Sequence, residues 1–363
     1  MPSIMTAYNQ RMVIRGSRVI SSGAQDADRN AVLIKDGAIE DIISEDSVPP
    51  RVRVCDFPGH VISPYLCDYH LHFPASARNS FARVAERLLA HGIGKAYEGG
   101  DAGGAGIGAK KELCGNIAVV SAGQGLFKTG AYGKYIGRGI TGIEDARRAI
   151  EALISGGVDY IKIVHSGIYD PQADRITEGG FERSELREMI AYAQDNGLRV
   201  FCHANGAAAV REAVEEGASA VIHGLHVSDD TLSEMHDKKV LFIPALQAFR
   251  SIGRLPISSA AKNNLERATD GHLAAVSRAY EKGVTVLPGS DAGPQAIPYG
   301  ASFFDELRLM VKAGVPYDEV MHMASASPLE RSQRADLPIL EGLTIRHVIR
   351  QGKFLFSEPT RTC

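Results

Sequence analysis

The chain lacks the markers of several protein classes. Its five cysteines (Cys55, Cys67, Cys114, Cys202, Cys363) are odd in number, scattered over 363 residues, and never form a C-x-x-C. Neither a disulfide framework nor a zinc finger is indicated, and reduced thiols in a cytoplasmic protein are the simplest account. No stretch approaches the ~20 consecutive apolar residues of a membrane helix. Met1 to Gln10 holds no apolar core of signal-peptide length. Charge of one sign is missing as well: 40 Lys and Arg against 43 Asp and Glu leave a net charge of −3. That balance gives no electrostatic case for nucleic acid or an anionic membrane as partner. These absences point to a soluble cytoplasmic protein that acts on a small molecule.

What is present is a change of pattern along the chain. Residues 11–64 read as an all-β module, with short strands at Met12–Ile14 and Arg18–Ile20. A hairpin over Ala31–Ile43 follows, its turn carrying the Asp36-Gly37 signal. From Val61 to about residue 330, apolar strands alternate with helices. Strands are expected at 61–70, 95–99, 116–121, 158–164, 198–203, 219–223, 239–244 and 284–290. Eight such strands predict an α/β fold, a closed parallel (β/α)8 TIM barrel. An open doubly wound sheet would bring a glycine-rich phosphate loop after its first strand, and none follows Val61–His72. The tail, Leu343–Phe356, is a second hairpin, so strands from both chain ends are expected to form one small β-sandwich. The expected division is 1–60 plus 337–363 for the sandwich and 61–336 for the barrel.

Barrel enzymes carry their chemistry at the C-terminal ends of strands. In Asp68-Tyr69-His70-Leu71-His72, residues i and i+2 share a face, so His70 and His72 point the same way and can seize one metal ion. Lys162 lies inside the apolar run 159–164, His203 and His223 end the fifth and sixth strands, and Asp291 ends the eighth. Each alone has a bland reading: a core histidine bonded to a carbonyl, a lysine reaching water, an aspartate capping a turn. Together they describe a metal site. A buried lysine is costly unless paired or altered, and its adduct with carbon dioxide is a carboxylate that can bridge two divalent ions. His165 and His226 lie on loops at the same mouth, where either orients substrate or is simply solvated. Cys202 points into the packing. Gly99–Gly106 is a flexible loop near the site, with no phosphate-binding fingerprint.

These stretches resemble the amidohydrolase superfamily, in its imidazolonepropionase-like and metal-dependent prolidase-like branch. The resemblance rests on Asp68–His72, Gly157–Ile163, Cys202–Gly206, Ile222–Gly224, Gly289–Gly293 and the loop Ser121–Gly133. It implies that His70, His72 and Asp291 bind a buried metal and His203 and His223 a more exposed one. Lys162, as its carbamate, would bridge the two. Asp291 would move the proton from the attacking hydroxide to the leaving group. The chain departs from the branch at Tyr132, where a histidine is usual, at Tyr97-Glu98 in place of Arg-Asp, and at Asn205. Tyr132 and Asn205 are therefore candidate substrate contacts.

The expected function is metal-dependent hydrolysis of a C–N amide bond in a small molecule, dipeptide-like or a cyclic amide. Two divalent ions are implied, zinc by ligand type, with manganese or iron as alternatives. The rivals are a mononuclear aminohydrolase, a lactone or ester hydrolase by the same centre, and a catalytically inactive barrel that serves as a binding module. A homo-oligomer is expected by family analogy.

Overall fold

A computed structural model describes residues 11–20, 29–73, 79–294 and 297–357. The chain divides into two compact units: residues 1–66, 89–93 and 325–363, and residues 67–88 and 94–324. The sequence-based division differs at its edges, because residues 61–66, 89–93 and 325–336 belong to the first unit.

The first unit is built from two sheets. One has four strands in the order Ala38–Ile43, Ala31–Lys35, Arg11–Arg15, Arg53–Asp56. The other has five, in the order Arg18–Val19, Val61–Ile62, Leu337–Glu341, Thr344–Arg350, Lys353–Ser357. Strands from both chain ends thus pair directly, Val61–Ile62 running antiparallel to Ile339–Leu340. The expected hairpin turns are present. Asp36 and Gly37 have φ of 52° and 81°, and Gln351 and Gly352 of 48° and 71°. Two successive left-handed residues are the turn whose twist matches antiparallel strands. Inward side chains of both sheets, among them Ile14, Val32, Ile39, Phe57, Ile62, Leu337 and Ile349, form one apolar core. The strand expected to run unbroken from Val61 is split, since Val61–Ile62 ends before Ser63-Pro64 and a new strand opens at Leu66. Proline supplies no N–H to a ladder.

The second unit is an α/β assembly of parallel strands followed by helices. Three strands, Leu66–Leu71, Ile93–Glu98 and Ala118–Ser121, form one arc. A second arc of six runs Gly137–Ile140, Gly125–Lys128, Tyr160–Val164, Arg199–Ala204, Ala220–His223, Leu241–Ile243, every pairing parallel. All five residues of Tyr160–Val164 are buried, as expected of a parallel strand covered on both faces. The expected eighth strand, 284–290, forms no ladder. The segment makes one parallel bridge to each arc, Val286 with Phe242 and Ala292 with Leu71. Pro288 and Gly289 interrupt it.

Helices separate the strands as the alternating pattern requires, for example Arg183–Asp195, Ala207–Glu215 and Ser259–Glu281. The last opens on Ser258, whose hydroxyl accepts the Ala261 N–H. Three further helices, Ala105–Glu112, Leu246–Ile252 and Tyr317–Ala324, and a small hairpin joining Tyr169–Asp170 to Arg175–Ile176 were not expected from the sequence. They are short, and two of the helices follow Gly or Pro, which the pattern reads as loop. Among the described residues, no helix is long and apolar enough to cross a membrane.

Candidate metal centre

The site is assembled by backbone pairing between Leu66–His72 and the segment that carries Asp291. The N–H groups of Tyr69, Asp291 and His72 donate to the carbonyls of Pro288, His70 and Ala292 at 2.9, 2.7 and 2.7 Å. Asp68 fastens the two segments. Its buried carboxylate accepts the Ser290 N–H and hydroxyl at 2.9 and 2.5 Å and the His70 N–H at 3.2 Å. Burial pushes this carboxyl up to about 7 against those bonds. Asp68 shares the face of His70 and His72 by strand parity. That parity was the available sequence signal for its supporting role.

This scaffold brings two histidines onto one aspartate. The Nε2 atoms of His70 and His72 each lie 3.3 Å from Asp291 Oδ1. His223, at the end of its strand with φ 70°, closes the group. One ligand atom each from His70, His223 and Asp291 lie within 4.8 Å of one another. His203 stands beside His223 with ring centroids 4.7 Å apart, and Tyr132 beside His203 at 5.5 Å. Lys162 is 1% exposed, and its Nζ has no hydrogen-bond partner.

Burial acts against the charge of His72, yet its contact with the Asp291 carboxylate holds it above its ordinary value, whereas the rings of His70, His203 and His223 are kept neutral. Burial holds His70 down to about 3 and His203 to about 4, and keeps His223 well below its ordinary value; the nearby Lys162 ammonium contributes to all three. Neutral imidazole is the form that donates a lone pair to a metal. Burial opposes the charge of Asp291, yet the contacts with His70 and His72 hold its carboxyl well below the usual carboxylate range. Burial lowers Lys162 to about 7, so a substantial fraction is the free amine that reacts with carbon dioxide.

Two hydrogen bonds fix which nitrogen faces inward. His72 Nδ1 donates to the Gly100 carbonyl at 2.7 Å, which turns Nε2 to the Asp291 carboxylate. A proton held between Nε2 and that carboxylate in the metal-free protein occupies the place a metal ion would take. His203 Nε2 meets the Gly167 carbonyl at 3.1 Å, leaving Nδ1 as its free lone pair. The residues present fit a metal cation, on the evidence of the neutral His70, His203 and His223 rings near the ionised Asp291 and of the orphaned Lys162 amine.

A support unseen in the sequence holds the second strand's loop. Glu98 is fully buried, and its carboxylate accepts the Gly100 N–H at 2.6 Å and the Ser121 hydroxyl at 2.9 Å. It thereby fixes the loop whose Gly100 carbonyl orients His72. A Cβ on Gly99 would stand 2.5 Å from His70 Cε1 and 3.0 Å from His72 Cε1, so no other residue fits there. The glycine-rich stretch is thus shaped by close approach to the histidines, and Ala105–Glu112 is helical.

The other expected contacts fare differently. Asn205 is buried and braces loops: its amide nitrogen donates to the Gly167 carbonyl at 3.4 Å and its oxygen accepts the Leu225 N–H at 3.2 Å. His165 is buried as well, with Nε2 3.0 Å from Glu212 on helix Ala207–Glu215. Burial and that pairing rule out a solvated His165. His226 is exposed, with its ring 6.4 Å from that of Tyr169. Burial raises the Cys202 thiol to about 12, as an inert packing thiol requires. Phe249, on helix Leu246–Ile252, meets His223 edge-on at 5.8 Å and forms an apolar wall that the sequence did not reveal.

The amidohydrolase family model matches residues 61–333. Ochratoxinase from Aspergillus niger is 26% identical over 368 aligned positions, spanning 85% of this chain and 74% of that protein. The crystal structure of A. niger ochratoxinase superposes with a TM-score of 0.77 at 19% identity, covering 97% of each chain. A putative prolidase from Bifidobacterium longum gives 0.80 at 22% identity, over 97% of this chain and 96% of that one.

Proposed function

This chain belongs to the amidohydrolase family and is a hydrolase acting on carbon–nitrogen bonds; we propose that it cleaves an amide bond of a small molecule, dipeptide-like or a cyclic amide, at a binuclear metal centre. The observation that carries this reading is the buried, unpartnered Lys162 amine in the same strand-end constellation as His70, His72, His203, His223 and Asp291. Leu66–Leu71, Ile93–Glu98, Ala118–Ser121 with Gly125–Lys128, Tyr160–Val164, Arg199–Ala204, Ala220–His223, Leu241–Ile243 and the bridging segment 284–292 are read as the eight strand positions of one (β/α)8 barrel, with these residues at their C-terminal ends.

His70, His72 and Asp291 would hold one ion, His203 and His223 a second, and carbamylated Lys162 would join them. Zinc suits these ligands. When bound, such ions lower the pKa of a shared water and polarise the scissile carbonyl. Asp291, kept ionised, accepts the proton of the attacking water and returns it to the departing nitrogen. The Tyr132 phenol, pushed by burial up to about 12, stays a neutral donor beside His203 that can face a developing oxyanion. Gly100 and Gly167 fix the histidine tautomers through their carbonyls.

Elemental analysis of protein purified without chelator and with bicarbonate tests the proposal. Two equivalents per chain, falling sharply in Lys162→Ala, support it, together with hydrolysis of amides from a panel of dipeptides, N-acyl amino acids and cyclic amides. Full occupancy by two metals in Lys162→Ala refutes the bridge. A second reading, the mononuclear aminohydrolase, is favoured by the compactness of His70, His223 and Asp291. One equivalent that is indifferent to Lys162→Ala, with ammonia as product, would establish it instead.

A further inference from the structure

Within the second unit, apolar side chains are left in water beside the site, on backbone too well tied to hide them. Ile168 is 42% exposed and Leu255 is 49% exposed. Near them in the chain, the half-buried Ile176, Ile252 and Ile257 pack onto a small cluster of Tyr169, Leu225, Phe249, Leu265 and Ala268. The patch spans the hairpin 168–177 and the turn between helices Leu246–Ile252 and Ser259–Glu281.

Polar clips hold this patch in place. Tyr169 donates its hydroxyl to Asp174 at 2.7 Å, and Asp174 pairs with Arg267. Asn264 Nδ2 donates to the Pro171 carbonyl and the Ser258 hydroxyl to Gln172 Oε1, both at 3.0 Å. Ile168 exchanges bonds with Thr177, its N–H donating to Thr177 Oγ1 at 3.0 Å and its carbonyl accepting the Thr177 N–H at 2.8 Å. A surface that is both apolar and preorganised is suited to binding.

The cluster beneath these residues reaches the candidate metal ligands. The Gly167 carbonyl, one residue from Ile168, accepts from His203 Nε2, and Phe249 of the underlying cluster meets the His223 ring. We propose that Ile168, Leu255 and the neighbouring Ile176, Ile252 and Ile257 form a specificity surface for a large apolar group on one side of the scissile amide. The preferred substrates are then amides of long-chain or aromatic acids or amines rather than small polar dipeptides. This rests on the amide-hydrolase reading above. The substrate, rather than a second copy of the chain, is the committed occupant because the patch is tied to the candidate ligands through Gly167 and Phe249.

The test uses the metal-loaded full chain and two series, N-acylglycines from acetyl to decanoyl and N-acetyl amines from methylamine to decylamine. The expected result is kcat/KM rising with chain length in one series. Ile168→Ser and Leu255→Ser, both at exposed positions, should cut the long-to-short ratio by about tenfold, carried mainly by KM, with melting temperatures near wild type. A flat dependence in both series, or an equal loss for short and long members, overturns the surface while leaving amide hydrolysis standing. Absence of any turnover counts against the amide-hydrolase reading. Equilibrium dialysis of decanoylglycine and decanamide against their two-carbon counterparts then decides the surface separately: preference for either ten-carbon ligand, lost in the variants, supports it, and no preference overturns it. A change in sedimentation of the variants without a change in selectivity assigns the patch to self-association and overturns the proposal.

Discussion

Lys162 should weigh against the stability of the metal-free protein. It is 1% exposed, its Nζ is unpartnered, and burial lowers it from 10.5 to about 7. At about 1.4 kcal/mol per tenfold change in proton affinity, that fall costs the folded state on the order of 5 kcal/mol as an upper bound. The sign follows from which state holds the proton. Below about pH 7 both states are protonated and the full cost is present. Between about 7 and 10.5 the unfolded chain keeps a proton that the folded chain has shed, so stability rises with pH. From pH 7 to 9 the gain should be about 2–3 kcal/mol. Urea denaturation of metal-free, degassed wild type and Lys162→Met measures it, because other titrating groups cancel in the difference. The variant should be the more stable at pH 7, and its advantage should shrink by pH 9. Adding metal and bicarbonate should reverse the order. A pH-independent difference, or a metal-free wild type more stable than the variant at pH 7, would refute the argument that this lysine is an uncompensated buried amine.

Other perturbations separate the roles within the centre. Asp291→Asn should keep fold and melting profile within a few degrees while lowering kcat by about 10²–10⁴-fold; unchanged turnover removes it as the proton carrier. Glu98→Ala should weaken metal affinity by about 10–100-fold in a chelator competition, since the loop that orients His72 loses its anchor; Glu98→Gln, which can still accept the Gly100 N–H, should fall between, and equal affinity in all three proteins would show the loop holds itself. Gly99→Ala forces a methyl group onto His70, so metal content should fall even where circular dichroism shows a folded chain; full occupancy in a folded variant would mean the loop yields without moving the ring.

Most of the strands and the convergence of His70, His72 and Asp291 were legible because they rest on local rules. Strand parity put His70 and His72 on one face, and both meet Asp291 at the same 3.3 Å. The Asp36-Gly37 turn was legible for the same reason. What the sequence concealed depends on pairing between distant segments. Glu98 and Ser121 are 23 residues apart and Asp68 and Ser290 are 222 apart. Whether His165 was solvated stayed open until Glu212, from the next helix but one, appeared beside it. The strand at 284–290 was over-read, because an apolar run announces a strand whether or not Pro288-Gly289 lets it form a ladder. Phe249 was hidden in a short helix that period counting does not register.

The interior carries more negative charge than its own cations answer, and that imbalance has a measurable consequence. Asp68, Glu98 and Glu306 are each fully buried, and each is held by N–H or hydroxyl donors with no lysine or arginine among the bonds they accept. Burial pushes their carboxyls up to about 7, 7 and 8, so near neutrality the metal-free protein holds protons there. Lys162 is in the same position at about 7. Divalent ions favour the ionised form of every one of these carboxylates, and carbamylation of Lys162 sheds its protons outright. Metal loading at pH 7 should therefore release at least one proton per chain, a release that shrinks by pH 9, where these groups are already deprotonated. Calorimetric titration of metal into apoprotein, in buffers of different ionisation enthalpy and with bicarbonate present, counts the protons. Loading with no release at pH 7 would mean that the carboxylates stay ionised without the metals, held by their hydrogen bonds alone.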